Sequence, residues 1–132
     1  VRSFVNPTEN QIFDELVRLF QTHAGRAIAI DDYLTSNLAK RLKAAGIPTW
    51  QLWGKEMANV CSSVYALFSN GQIRHNNDPL LVAQMGNGVA KYTGETWAIS
   101  RKESRGEIDA LMATVIAVYC SSRAQHAGVQ VF

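Results

Sequence analysis

The chain has 132 residues, enough for one domain that buries a real core without disulfides or structural metal. Hydrophobic residues make up 47% and charged residues 18%, a balance that excludes a disordered segment. The 13 Lys and Arg against 11 Asp and Glu leave a net charge of +2, which neither demands nor forbids a nucleic-acid partner.

No apolar run approaches the roughly 18 residues of a membrane span, and VRSFVNPTENQ lacks the short apolar core of a signal peptide. Because the chain starts at Val1 and not at Met, it is expected to be a piece of a longer protein. Thr8 and Gln11 form a capping-box signature, and Ile12, Phe13, Leu16, Val17, Leu19 and Phe20 follow it; a helix is expected over about 8–23, with Gly25 near its stop. RAIAI, 26–30, fits a short buried strand that ends in Asp31-Asp32. A second helix carries Leu34, Leu38, Ala39 and Leu42, with Gly46 just beyond its end. IPTWQLW, 47–53, is the next strand candidate. A third helix, 56–70, runs through Met57, Val60, Cys61, Val64, Leu67 and Phe68.

After an extended QIRH, Asp78 and Pro79 read as the cap and first residue of a helix reaching about Met85, loosened at Gly86 and Gly88. TWAIS, 96–100, reads as a strand. Ser104 and Glu107 form a second capping box, before GEIDALMATVIAVY. In that last helix Ile108, Leu111, Met112, Val115, Ile116 and Tyr119 share one face and alanine fills most of the rest, so it is expected to be buried nearly all round. The tail after His126 is expected to fray. Helices alternating with strands, without repeats or linkers, indicate a single α/β domain over 1–132.

Cys61 and Cys120 lie apart inside helical apolar patterns and read as buried, reduced thiols. His23, His75 and His126 have no i,i+4 pairing, so a zinc site has too few ligands. The carboxylates are more informative. Asp31 and Asp32 stand at the carboxyl end of a strand, where α/β folds gather functional groups, although an N-cap role for the following helix explains them equally simply. Asp109 stands at the margin of a buried face, one place where an unpaired charge is costly. A structural partner such as Arg105 or Lys102 is one way to satisfy it. A divalent metal is the other: Mg²⁺ or Mn²⁺ takes oxygen ligands, one or two of them carboxylates, and two such ions about 3.5–4 Å apart drive phosphodiester cleavage.

The ordered series IAIDDYLTSNLAKRLKAAGIP, GQIRHNNDPLL, NG, Lys91 and GEIDALMATVIAVY resembles phage large terminase subunits, specifically their C-terminal nuclease domain. The resemblance runs from about Arg26 to Tyr119, and it rests on the order of the elements, since no single element is specific. It implies an RNase H-like fold with an incomplete sheet and flanking helices, and a metal-dependent endonuclease that cuts concatemeric double-stranded DNA in genome packaging. By position, Asp31 matches the strand-end acid and Asp109 the last-helix acid, both as catalytic ligands of Mg²⁺ or Mn²⁺, with Asp32 as fallback. His75 and Asn87 match polar positions near the site. Arg74, Arg101, Lys102 and Arg105 are the candidates for DNA phosphate, beside Lys91; Lys40, Arg41 and Lys43 read as a solvated face. Trp50, Trp53 and Trp97 read as core, with base stacking as the alternative.

The resemblance also implies partners: the ATPase motor domain, the small subunit and the portal, in the host cytoplasm and away from membrane. No Walker A sequence occurs here. The family's first acid-bearing strand has no counterpart upstream of RAIAI, since Glu9, Asp14 and Glu15 fall on a helix. A truncated nuclease domain, inactive alone, is therefore one expectation. Two other classes stay open: a non-catalytic interaction module that dimerises through exposed sheet edges, and a receiver-like phosphoacceptor built on Asp31-Asp32.

Overall fold

The computed structural model describes residues 4–126. They fall into two compact units, one built on the chain up to Gly54 and the other on Lys55–Arg123.

The first unit begins with α1 (Glu9–Thr22), and its expected capping box is present. The Gln11 N–H donates to Thr8 Oγ1 at 3.2 Å, and the Thr8 N–H donates to Gln11 Oε1 at 2.9 Å. Two donors that a helix start leaves without partners are thereby satisfied. β1 (Ile28–Asp31), α2 (Asp32–Ala44) and β2 (Thr49–Leu52) form a β-α-β unit, in which the strands pair in parallel with Asp31 opposite Leu52. Ile30, Leu38, Ala39, Leu42 and Ile47 make its core, and Ile12, Phe13, Leu16, Val17 and Phe20 of α1 pack against them. Gly46 follows α2 with φ +76°, a left-handed stop that glycine adopts without steric cost.

The basic side of α2 is less solvated than the sequence suggests. Arg41 pairs with Glu9 at 2.7 Å and lies 4.5 Å over the Phe13 ring, and Asn37 donates to both Glu9 oxygens at 3.0 Å. Lys43 donates to Gln51. Lys40 alone of the three is exposed without a bond of this kind. These contacts tie α1 and β2 to α2, so the charge run is partly structural.

The second unit holds α3 (Met57–Ser69), α4 (Pro79–Asn87), the antiparallel pair β3 (Ala90–Thr93) and β4 (Thr96–Ile99), and most of α5 (Asp109–His126). Asp78 caps α4 through Oδ1, accepting from the N–H of Leu80 and Leu81 at 3.0 and 3.2 Å. The helix runs on through Gly86, beyond the expected loosening. β3 is absent from the sequence reading: AKYT is short and wholly exposed, so it carries no apolar alternation. Its two-residue turn is nonetheless specified, because Gly94 takes φ +62° at the first loop position. α3 packs on β4, with the Ile99 N–H donating to Cys61 Sγ at 3.5 Å and Tyr65 meeting Trp97 edge-to-face at 5.8 Å.

Three expectations need correction. α5 buries one face, Ile108 to Cys120, while Ala113 and Ala117 are exposed; alanine is neutral enough to stand on either side. Its cap is not the Ser104–Glu107 box. Helix α5 starts at Asp109, and Ser104 Oγ instead donates to the Ser100 carbonyl and accepts from the Val89 N–H, at 2.6 and 3.2 Å. Trp50 and Trp53 are 36% and 54% exposed, because the outer edge of β2 has no partner strand among the described residues and Trp53 lies past its end. The expected frayed tail, 127–132, lies outside the described residues.

Candidate functional site

Each unit carries one of the two expected acids. Asp31 closes β1, and the residue pairing with it, Leu52, is 1% exposed. The Asp31 carbonyl accepts from Thr35 Oγ1 at 2.5 Å. Thr35 has φ −129° and ψ 19°, so a kink separates the first turn of α2 from the rest. The chain thus leaves the strand through a turn clamped back onto Asp31. The side chain of Asp32, the fallback ligand, lies outside the described residues.

Asp109 is the first residue of α5, and its side chain is 80% exposed. It is therefore no buried charge in need of rescue, which removes the desolvation argument for a metal. Its partner is Arg101, whose Nη1 donates to Asp109 Oδ1 at 2.7 Å, in place of the Arg105 or Lys102 that sequence proximity suggested. A cation already faces this carboxylate, and the position keeps the advantage of negative charge at a helix N-terminus.

What fixes Asp109 comes from α4. Gln84 is 5% exposed in an otherwise apolar helix, and its Oε1 accepts from the N–H groups of Ala110 and Leu111 at 2.6 and 3.4 Å. These are helix-start donors without partners in α5 itself; leaving such a buried group unpaired costs about 1–3 kcal/mol. One turn on, Asn87 Nδ2 donates to the Glu107 carbonyl, and the Asn87 carbonyl accepts from the Arg105 N–H, both at 3.0 Å. Gly106 comes so near that a Cβ there would stand 2.8 Å from Asn87 Nδ2. Sequence reasoning matched Asn87 to the site but missed Gln84. The available signal was a glutamine inside PLLVAQM, a polar group that an apolar helix must satisfy somewhere.

The other candidates separate. Arg101 and Arg105 belong to the 100–108 segment just described, the first through its side chain and the second through its backbone. Lys102 is exposed on the same turn, and Lys91 pairs with Glu103 at 3.2 Å. Arg74 is exposed on the extended stretch before α4. His75 Nδ1 accepts from the Asn77 N–H at 3.2 Å. It also borders an apolar cavity of about 280 Å³ lined chiefly by α3, α4, β4 and α5, among them Val64, Phe68, Met85 and Val115. That surroundings suits packing better than acid–base work.

The two thiols are buried and unbridged, as expected. Burial pushes Cys120 up to about 11, against the pull of Arg123, and burial likewise raises Cys61 against the bond from Ile99. Neither is primed as a nucleophile. Among the described residues no three of His, Cys, Asp and Glu gather as a metal cluster, and no helix is long and apolar enough to cross a membrane.

Residues 3–125 match the family model for the terminase large subunit, endonuclease domain. This chain belongs to that family. The crystal structure of the HK97 bacteriophage large terminase shares the fold, with a TM-score of 0.73 at 19% identity over 86% of this chain. The α/β architecture is thus RNase H-like, as the resemblance implied. The chain spans 25% of that terminase's length. No curated protein matches it. Membership in the terminase family sets aside the receiver-like alternative, whose support was the Asp31-Asp32 pair and a similar length.

Proposed function

We propose that this chain is a metal-dependent endonuclease domain that cuts concatemeric double-stranded DNA during viral genome packaging. The observation that carries the reading is the family match over residues 3–125, which includes both Asp31 and Asp109. In this reading the two compact units act as one domain.

The residues suit the cation the family implies. One Mg²⁺ or Mn²⁺ is held by one or two carboxylates, with waters and substrate phosphate completing the shell; a two-ion site usually takes three or more acids, of which Asp31 and Asp109 are the two proposed here. Asp109 presents a largely exposed carboxylate and Asp31 a strand-end one, and both offer hard oxygen donors. When bound, divalent ions supply charge neutralisation at the scissile phosphate and a more acidic water, in the two-metal manner proposed for this hydrolysis. The protein's part is to hold the carboxylates and to draw in the substrate. Arg101, Lys102, Arg105 and Arg74 would meet backbone phosphates, with an affinity that falls as salt rises. Arg101 has a further part: it neutralises Asp109 in the free protein and is positioned to pass to a phosphate when the carboxylate takes a cation.

The longer protein would add the ATPase motor domain, and its partners would be the small subunit and the portal, in the host cytoplasm. Nicking of supercoiled plasmid in Mn²⁺ tests the activity. Asp31→Asn and Asp109→Asn should each lower the rate by more than about 100-fold, beyond what loss of an outer-shell partner costs. A wild-type rate in either variant would remove that residue from the site, and no nicking by the wild-type chain would identify it as the truncated domain, inactive alone, that the absent acid-bearing strand leads one to expect.

A second reading concerns assembly. Each sheet has only two strands, so among the described residues every strand keeps one unpaired edge. Such edges recruit strands from other chains, and a homodimer through them would appear as a sedimentation coefficient that rises with concentration.

A further inference from the structure

We infer that Gln84 is a positioning residue of the cleavage site, setting where the Asp109 carboxylate is presented to a divalent cation. The inference rests on the proposed function, because it assumes that Asp109 holds the cation.

The geometry assigns Gln84 this part. Ser104 and Glu107 sit where a local cap was expected, but Ser104 is committed to Ser100 and Val89. The donors at the start of α5 are met instead by one side-chain oxygen from α4, 26 and 27 residues earlier in the chain. Ala110 and Leu111 are the two residues directly after Asp109, so the Gln84 oxygen fixes the backbone on which that carboxylate stands. Asn87 holds the preceding residues through Glu107 and Arg105. The two amides lie three residues apart on one face of α4, and together they grip both sides of Asp109. Neither reaches the carboxylate itself, whose bond is to Arg101. Gln84 acts through the backbone, and Arg101 through charge.

This arrangement differs from a plain helix cap in one consequence. A cap that only stabilises α5 could be lost without changing cation affinity in the molecules that stay folded. A positioning cap could not, because loss of the oxygen frees the first turn to move the carboxylate. Supporting groups of this kind cost about 10–100-fold in metal affinity when removed.

The test is a Mn²⁺ titration of the full chain followed by NMR. Paramagnetic broadening at Asp109 reports binding, and amide exchange at Ala110 and Leu111 reports the cap. Gln84→Met keeps the length and removes the acceptor; Gln84→Glu keeps an acceptor oxygen at the same reach. The methionine variant should exchange faster at Ala110 and Leu111 and bind Mn²⁺ about tenfold more weakly, while amides in α3 stay protected. The glutamate variant should restore slow exchange and bind within about threefold of wild type.

Faster exchange with wild-type affinity in Gln84→Met would overturn the inference and leave the nuclease reading standing. Absence of broadening at Asp109 in the wild-type chain would overturn both. If the methionine variant loses α3 protection, Gln84→Glu carries the test alone: a tenfold loss of affinity despite a retained acceptor would overturn the inference.

Discussion

The two units place their acids by different means. In the first, Asp31 is set by strand register and by a core of local origin: Ile30, Leu38, Ala39, Leu42 and Ile47 lie within 18 positions of one another and bury against the amphipathic face of α1. In the second, Asp109 is set by side-chain amides reaching across from α4 to the backbone around it. The first arrangement is held by apolar area, while the second adds a few directional bonds to the buried face of α5. The difference teaches that two carboxylates with the same proposed job can depend on different kinds of support, and should respond differently when perturbed.

The largest effect expected from breaking that comparison is in the first unit. Leu42 is 0% exposed at the centre of the cluster, so Leu42→Ala should cost about 2–5 kcal/mol in urea unfolding, through lost burial and the cavity left behind. A loss below about 1 kcal/mol would mean that the cluster does not hold β1 in place. In the second unit, Arg101→Ala removes the conspicuous ion pair, yet Arg101 and Asp109 are 34% and 80% exposed. Exposed pairs contribute roughly 0–1 kcal/mol, so the variant should keep wild-type stability within that margin, with any difference shrinking in salt. A loss of several kcal/mol would show that charge, and not the α4 amides, holds the start of α5.

The same contrast explains what was legible beforehand. The α1 capping box, the RAIAI strand, the α2 face and its glycine stop were readable because each is a short-range pattern whose partners lie within a turn or two. The Asp78–Pro79 start of α4 was readable for that reason as well. The cap of α5 was not, since a serine and a glutamate at the right spacing stood before the helix while the true acceptor lay in another element. Its missing premise was tertiary: Ser104 had a better use holding the hairpin, and Gln84 had nowhere else to bury its oxygen. The exposure of Asp109 followed from the same error, because a helix start pulled back to 109 leaves that side chain at the rim and not on the buried face. Trp50 and Trp53 were misread because apolar composition in a strand says nothing about whether a neighbouring strand covers it. Asp31 and Asp109 themselves stood out by position, at a strand end and beside a buried helix face, with a cap and an ion pair as rival explanations; the ordered resemblance favoured the metal.

The central proposal is that Asp31 and Asp109 each ligate a divalent cation. Crystals soaked in Mn²⁺ and measured for anomalous scattering test it most directly. The expected result is a Mn²⁺ peak within ligand distance of each carboxylate, with Arg101 displaced from Asp109. No peak at all, or a peak that touches neither carboxylate, would contradict it.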